Sequence, residues 1–231
     1  MLLLPVAVIG LTLRQRMPAA AASVTLPVPP PPVIGASRPH GHPVVPDPFT
    51  GSLLALGGPG AADLARLITL SALEGPGDDR LVVLPRADAA ALFGLDEDEL
   101  LDESPDQLFL PGTLDAALAF LETELRIRDD SEATGGEPKL LLVADCEQEA
   151  GRIAGLFARH PQGLSAVVLG GWPGEQAAVD ENGLVSAPPA VAGLLPKQAS
   201  AMSRAEARHR LDLLTEKCQG KSTRPKRRRH R

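Results

Sequence analysis

Residues 52–73 read SLLALGGPGAADLARLITLSAL, and this stretch decides the fold class. A short apolar run passes through Gly57-Gly58-Pro59-Gly60 and continues directly into a helical pattern from about Ala61. A strand that turns over glycines into a helix is typical of the first half of a β-α-β unit. Free backbone N–H groups and a helix N-terminus meet at such a turn, so it is also a ready anion-binding geometry.

On both sides of this unit, short apolar runs alternate with helical patterns. Several runs are continuously apolar, which is typical of strands buried on both faces. Strand-helix alternation implies right-handed crossovers and a mainly parallel sheet. We therefore predict a three-layer αβα domain of the α/β class over residues 51–218. Its predicted strands are Ser52–Leu56, Leu81–Leu84, Leu108–Leu110, Leu140–Ala144 and Leu164–Leu169.

Helix boundaries and one hairpin are also readable. Thr113 is placed as the N-cap of a helix whose leucines recur every three or four residues, and residues 203–206 form a capping box that starts the last helix. His160-Pro161 ends the helix before it. Asn182-Gly183 between two β-prone pieces, 177–179 and 184–186, predicts a hairpin that adds an antiparallel ribbon at the sheet edge.

The glycine turn is compared first with the phosphate-binding motif G-x-x-x-x-G-K-[ST]. It has no lysine to reach terminal phosphates and no hydroxyl to hold magnesium, and Asp63 brings a negative charge into the first helical turn. We predict a vestigial nucleotide site at Gly57, Gly58 and Gly60, with no catalytic residue and no metal site.

A second part of that site follows a later strand. Residues 140–145, LLLVAD, end in Asp145, which has the look of a Walker B acid that would bind magnesium through water. The next position, where a base is expected, holds Cys146. We therefore add Asp145 to the predicted vestigial site.

Other site chemistries fit the sequence less well. A receiver domain needs an acidic pair after its first strand, where this chain has Leu56-Gly57-Gly58. A dinucleotide fold needs a third glycine, where this chain has Asp63. G-x-S-x-G does not occur, and no nucleophile-base pair has supporting context.

Charge is distributed unevenly along the 231 residues, whose formal net charge is −6. The tail predicted over residues 219–231 is basic, and the acidic remainder should repel nucleic acid. Two cysteines in unrelated contexts favour a reducing, cytoplasmic setting. Only 3% of the residues are aromatic, so the chain lacks stacking platforms for single-stranded nucleic acid. The candidate nucleic-acid or membrane contacts are Lys221, Arg224, Lys226, Arg227, Arg228, Arg229 and Arg231.

The N-terminal region leaves three alternatives open. Residues 1–17 hold an apolar run of thirteen residues followed by two arginines, and residues 18–50 form a proline-rich linker. A bilayer span needs about 20 apolar residues, so the run is the end of a transmembrane helix, a signal peptide or an incidental leader. The first alternative would tether a cytoplasmic domain to a membrane.

The order of these motifs resembles a known arrangement. GSLLALGGPGAADLARLI, LVVLP, KLLLVAD and GLSAVVLGGWPGEQAAVDENGLV are similar to the central region of actinobacterial multidomain membrane proteins that carry a LysM module and a bacterial transcriptional activator domain. That region is similar to the RecA-like cores of DNA translocases and secretion ATPases, in degenerate form. The resemblance covers about residues 43–215 and adds Gly170–Gly174 as the loop before the hairpin. LysM and activator segments are not seen here, so we expect a truncated relative, a fragment with a mis-set start or a split member.

Three functions remain as predictions. The first is a non-catalytic P-loop-like regulatory or assembly module that needs no cofactor and works through protein partners. The second is an atypical ATPase that binds ATP and magnesium between the glycine turn and Asp145. The third is attachment to nucleic acid or an anionic membrane through the basic tail.

Overall fold

A computed structural model describes residues 47–50, 52–77, 79–96, 105–130, 138–146 and 148–222, with side chains to residue 217. The predicted leader, nearly all of the proline-rich linker and most of the basic tail therefore lie outside the described residues. The elements, in chain order, are β1 Leu53–Gly57, α1 Ala61–Glu74, β2 Arg80–Val83, α2 Arg86–Phe93, β3 Leu108–Phe109, α3 Leu114–Asp130, β4 Lys139–Asp145, α4 Ala150–Arg159, β5 Leu164–Leu169, β6 Ala177–Val179, β7 Val185–Ser186, a 3₁₀ turn Ala192–Leu194, and α5 Arg204–Ser222.

The seven strands form one mixed sheet in the order β3-β2-β4-β5-β1-β6-β7. Every neighbouring pair is parallel except β6 and β7, which confirms the prediction of a mainly parallel α/β sheet. Predicted strand ends differ from the observed ends by one residue or not at all for most strands. In β7, Leu184 makes only an isolated bridge to Gln198, so the strand starts one residue later than predicted.

The sheet is covered on both faces. Leu141 and Val143 of β4 join a core with α1, α2 and α5, whereas Leu140, Leu142 and Ala144 join a second core with α3 and α4. These five residues are at most 1% exposed, which explains why β4 is apolar throughout rather than alternating. The arrangement is compatible with a three-layer αβα fold.

The predicted local signals form as expected. The backbone N–H of Ala116 donates to Thr113 Oγ1 at 3.1 Å, and that of Glu206 donates to Ser203 Oγ at 3.2 Å. In the hairpin, Gly183 has a φ of +79°, and the Asp180 carboxylate accepts the backbone N–H of Leu184. Both caps and the turn thus follow from local side-chain chemistry.

Candidate functional site

The glycine turn and Asp145 lie at the same edge of the sheet, the one formed by the carboxyl ends of its parallel strands. β1 and β4 are parallel and are separated only by β5, so their carboxyl ends lie about 10 Å apart. The connection after β1 crosses the sheet on the α1 face, and the connection after β4 crosses on the α4 face. Open α/β sheets place their ligand crevices at such a change of direction.

The turn itself is short and packs against β6. Only residues 58–60 separate β1 from α1. The backbone N–H of Gly60 donates to the carbonyl oxygen of Val179 at 3.1 Å. A Cβ on Gly58, whose φ is +92°, would come within 2.5 Å of that same oxygen, and a Cβ on Gly60 would overlap the carbonyl oxygen of Asp180. The glycines therefore allow the close approach of two backbone segments.

Two backbone N–H groups in the first turn of α1 also have acceptors within the protein. The N–H of Ala61 donates to Gly58 O at 3.2 Å, and that of Leu64 makes the first helical bond to Gly60 O. Asp63 in the first turn pairs with Arg66 at 2.5 Å. Two N–H groups that an anion would use, those of residues 60 and 61, therefore already have protein acceptors.

The loop after β5 approaches both predicted parts of the site. Gly170 has a φ of +82°, and a Cβ there would overlap the carboxylate of Asp145. Further along, Gln176 Nε2 donates to Trp172 O at 2.7 Å, and Gln176 Oε1 lies 2.7 Å from where a Cβ on Gly57 would be. Trp172 is half-buried against the core formed by α3 and α4. The loop thus covers the end of β1.

A second carboxylate, that of Asp88 in the first turn of α2, was not predicted. It accepts a hydrogen bond from the backbone N–H of Asp145 and lies near the Asp145 carboxylate. Burial raises the pKa of Asp88 to about 6; the bond from Asp145 N–H lowers it, and the Asp145 charge raises it further. The sequence carried no signal for this pair, because residues 88 and 145 meet only through the β2–β4 pairing.

Cys146 is fully buried directly after this pair. Its Sγ and its backbone N–H both donate to Leu169 O at 3.0 Å. Burial first, and the Asp145 charge second, raise the pKa of the Cys146 thiol. A protonated, enclosed thiol is a poor nucleophile, so this cysteine is part of the core.

Arg66 links α1 to two neighbouring segments, a role that the sequence did not predict. Its Nε donates to Leu92 O at 2.6 Å, and its Nη1 donates to Met202 O at 3.0 Å in addition to pairing with Asp63. The side chain is 11% exposed. It therefore fixes α1 against the end of α2 and the segment before α5.

The remaining predictions concern metals, membranes and the tail. Within the described residues, no group of three or more His, Cys, Asp or Glu side chains could hold a metal ion. Among the helices of the same residues, none has the length and apolarity to cross a bilayer. Lys221 belongs to the last turn of α5, and the other predicted tail contacts lie outside the described residues.

No protein-family model matches this chain, and no curated protein matches it at a significant level of similarity.

Proposed function

We propose that the chain is a non-catalytic P-loop-like regulatory or assembly module that works through protein contacts. The observation that carries the proposal is the hydrogen bond from Gly60 N–H to Val179 O. It engages a group that a phosphate loop would present to its ligand. Three connecting residues are also fewer than the four that stand between the glycines of a phosphate loop.

The chemistry of the same edge supports this function. Phosphoryl transfer relies on a lysine and a magnesium ion to neutralise developing charge. Here the edge carries Asp63, Asp88 and Asp145 instead, and Arg66 is engaged with Asp63 and two backbone carbonyls. A triphosphate would therefore meet negative charge at a turn where the N–H groups of Gly60 and Ala61 already have acceptors. The resemblance described above adds the setting, a membrane-associated signalling or regulatory protein.

A phosphate-release assay with Mg-ATP tests the proposal. We expect no release above the enzyme-free blank from the wild type, from Asp145→Ala, or from Asp212→Ala, in which an exposed acid of α5 is removed as a matched control. In extracts of the source cell, the tagged chain should elute above its 24.2 kDa monomer mass, with or without apyrase treatment. Hydrolysis that Asp145→Ala abolishes and Asp212→Ala preserves would contradict the proposal.

An atypical ATPase is the second candidate, and one observation favours it. The turn at Gly57–Gly60 and the acid Asp145 lie at one edge, with a single strand between them. The same assay separates the two candidates, because only the ATPase requires Asp145 for phosphate release.

A further inference from the structure

One cavity of the described residues lies at the opposite edge of the sheet from the glycine turn, where the parallel strands begin. Its volume is about 540 Å³, within the usual range of small-molecule sites. It is formed at the amino ends of β4 and β5, where the carboxyl ends of α3 and α4 meet them. No feature of the proposed P-loop-like function uses this region.

The charged side chains of the cavity are mostly cationic. Arg128, Lys139 and Arg159 line it together with His160, and Asp129 is the one acid among the lining residues that the structure describes. This is a local excess of positive charge in a protein whose net charge is −6. The side-chain cations attract anions to this concave surface, and they must outweigh the partial negative charge of the two helix carboxyl ends.

The existing contacts leave donors for a ligand. The Asp129 carboxylate is engaged by His160 Nδ1 at 3.2 Å. Arg159 Nε donates to Gly155 O and its Nη2 lies 3.8 Å from Glu122 Oε1, which leaves Nη1 without a partner among the described residues on a side chain that is 61% exposed.

The backbone N–H of Lys139 donates to Asp79 O at 2.7 Å, whereas its side chain is exposed and has no hydrogen bond or ion pair with any residue that the structure describes. An ammonium group and part of a guanidinium are therefore available at the rim.

Part of the lining is apolar. Pro138 and Pro161 are the accessible apolar residues, whereas Leu125, Leu140 and Leu164 are each 1% exposed and present almost no surface to a ligand. A site with an apolar wall and a few convergent polar groups suits an organic molecule better than a bare ion.

From these features we propose that the cavity at the amino ends of β4 and β5 binds a small organic dianion, of the phosphomonoester or dicarboxylate class, with its charge on Lys139 and Arg159 and its apolar part against Pro138 and Pro161.

Backbone ¹H–¹⁵N NMR titrations of the full chain test this proposal. The probes are phenyl phosphate, phenylsuccinate, inorganic phosphate and benzyl alcohol, which separate the phosphate and dicarboxylate sources from charge alone and from apolarity alone. We expect saturable shifts at Lys139, His160 and Gly163 with phenyl phosphate or phenylsuccinate, weaker ones with inorganic phosphate, and none with benzyl alcohol up to about 10 mM.

Charge variants locate the binding groups. Lys139→Met should lower the affinity for whichever of phenyl phosphate and phenylsuccinate binds more tightly by about fivefold or more. Lys197→Met, which removes an exposed lysine elsewhere, should leave that affinity unchanged. Arg159→Met repeats the test should Lys139→Met fold poorly. The proposal is overturned by no saturable shift with either organic dianion, by shifts confined to residues 57–60, or by equal affinity in the cavity variants and the control.

Discussion

The N–H of Gly60 donates a 3.1 Å hydrogen bond to the carbonyl oxygen of Val179, which joins the turn after β1 to the strand at its side. β6 is inserted parallel to β1, with Leu56 and Gly57 in register with Ala177 and Ala178. Because the two backbones approach so closely, the glycines of the turn have a packing role that does not require a ligand. The same bond uses the Gly60 N–H, which a phosphate loop would offer to its ligand, and so supports the proposal that the turn is non-catalytic.

Gly60→Ala tests the packing role. Gly60 has an ordinary φ of −89°, so the added methyl introduces no backbone strain of its own. It would lie 2.7 Å from Val179 Cγ1 and would overlap Asp180 O, so we expect a loss of about 2 kcal/mol in the free energy of unfolding. Urea denaturation measures the change.

Gly155→Ala is the matched control. Gly155 lies in α4, and nothing would come within 4 Å of its added Cβ. Alanine should stabilise this helix by about 0.5–1 kcal/mol. If Gly60→Ala were as stable as the wild type, the close approach of the turn and β6 would be wrong.

Arg66→Met tests the link between α1, α2 and the segment before α5. The methionine keeps the apolar stem but leaves the carbonyl oxygens of Leu92 and Met202 without their donor and Asp63 without its partner. We expect a loss of about 3 kcal/mol, measured by urea denaturation. Arg126→Met, on the exposed side of α3, should change stability by less than about 0.5 kcal/mol. Equal effects of the two substitutions would rule out the bridging role of Arg66.

Asp88→Asn tests the buried carboxyl. The pKa of Asp88 is raised from 3.8 to about 6, so the folded state binds more protons than the unfolded state between these values. Stability contributed by this group therefore falls as the pH rises through that window and stays low above it. The asparagine can still accept the N–H of Asp145 and carries no charge. We expect it to gain on the order of 1–2 kcal/mol at pH 7.5, with no gain near pH 3.5.

Unfolding curves across this pH range give the readout, with Asp212→Asn as the control for loss of an exposed acid. A gain for Asp88→Asn that does not depend on pH would mean that burial of charge is not its cause.

The strands and helix starts could be predicted because their signals are local. The unbroken apolar run of β4 reports burial on both faces, and Thr113 and Ser203 report caps through their position before a periodic segment. The hairpin was predictable for the same reason, since Asp180 and Gly183 satisfy the turn within four residues.

The position of β6 and the role of Arg66 could not be predicted, because both depend on contacts between segments that are distant in the sequence. The position of β6 beside β1 follows from a pairing of residues more than 100 apart in the chain, for which Leu56 and Ala177 give no separate sign. Arg66 reaches Met202 across 136 residues, and an arginine in a helix looks like a surface residue until its acceptors are known. The strands that precede the glycine turn and Asp145 were therefore predictable, while the contacts that surround these residues were not foreseen.

An NMR titration of the full chain with Mg-ATP tests the central claim most directly. The account predicts no saturable shift of the amides of Gly57, Gly58, Gly60 and Asp145 up to about 5 mM nucleotide. Shifts confined to Lys139 and His160 would report the separate anion cavity. Saturable shifts at both the glycine turn and Asp145, with one common affinity, would contradict the claim that this turn and Asp145 bind no nucleotide.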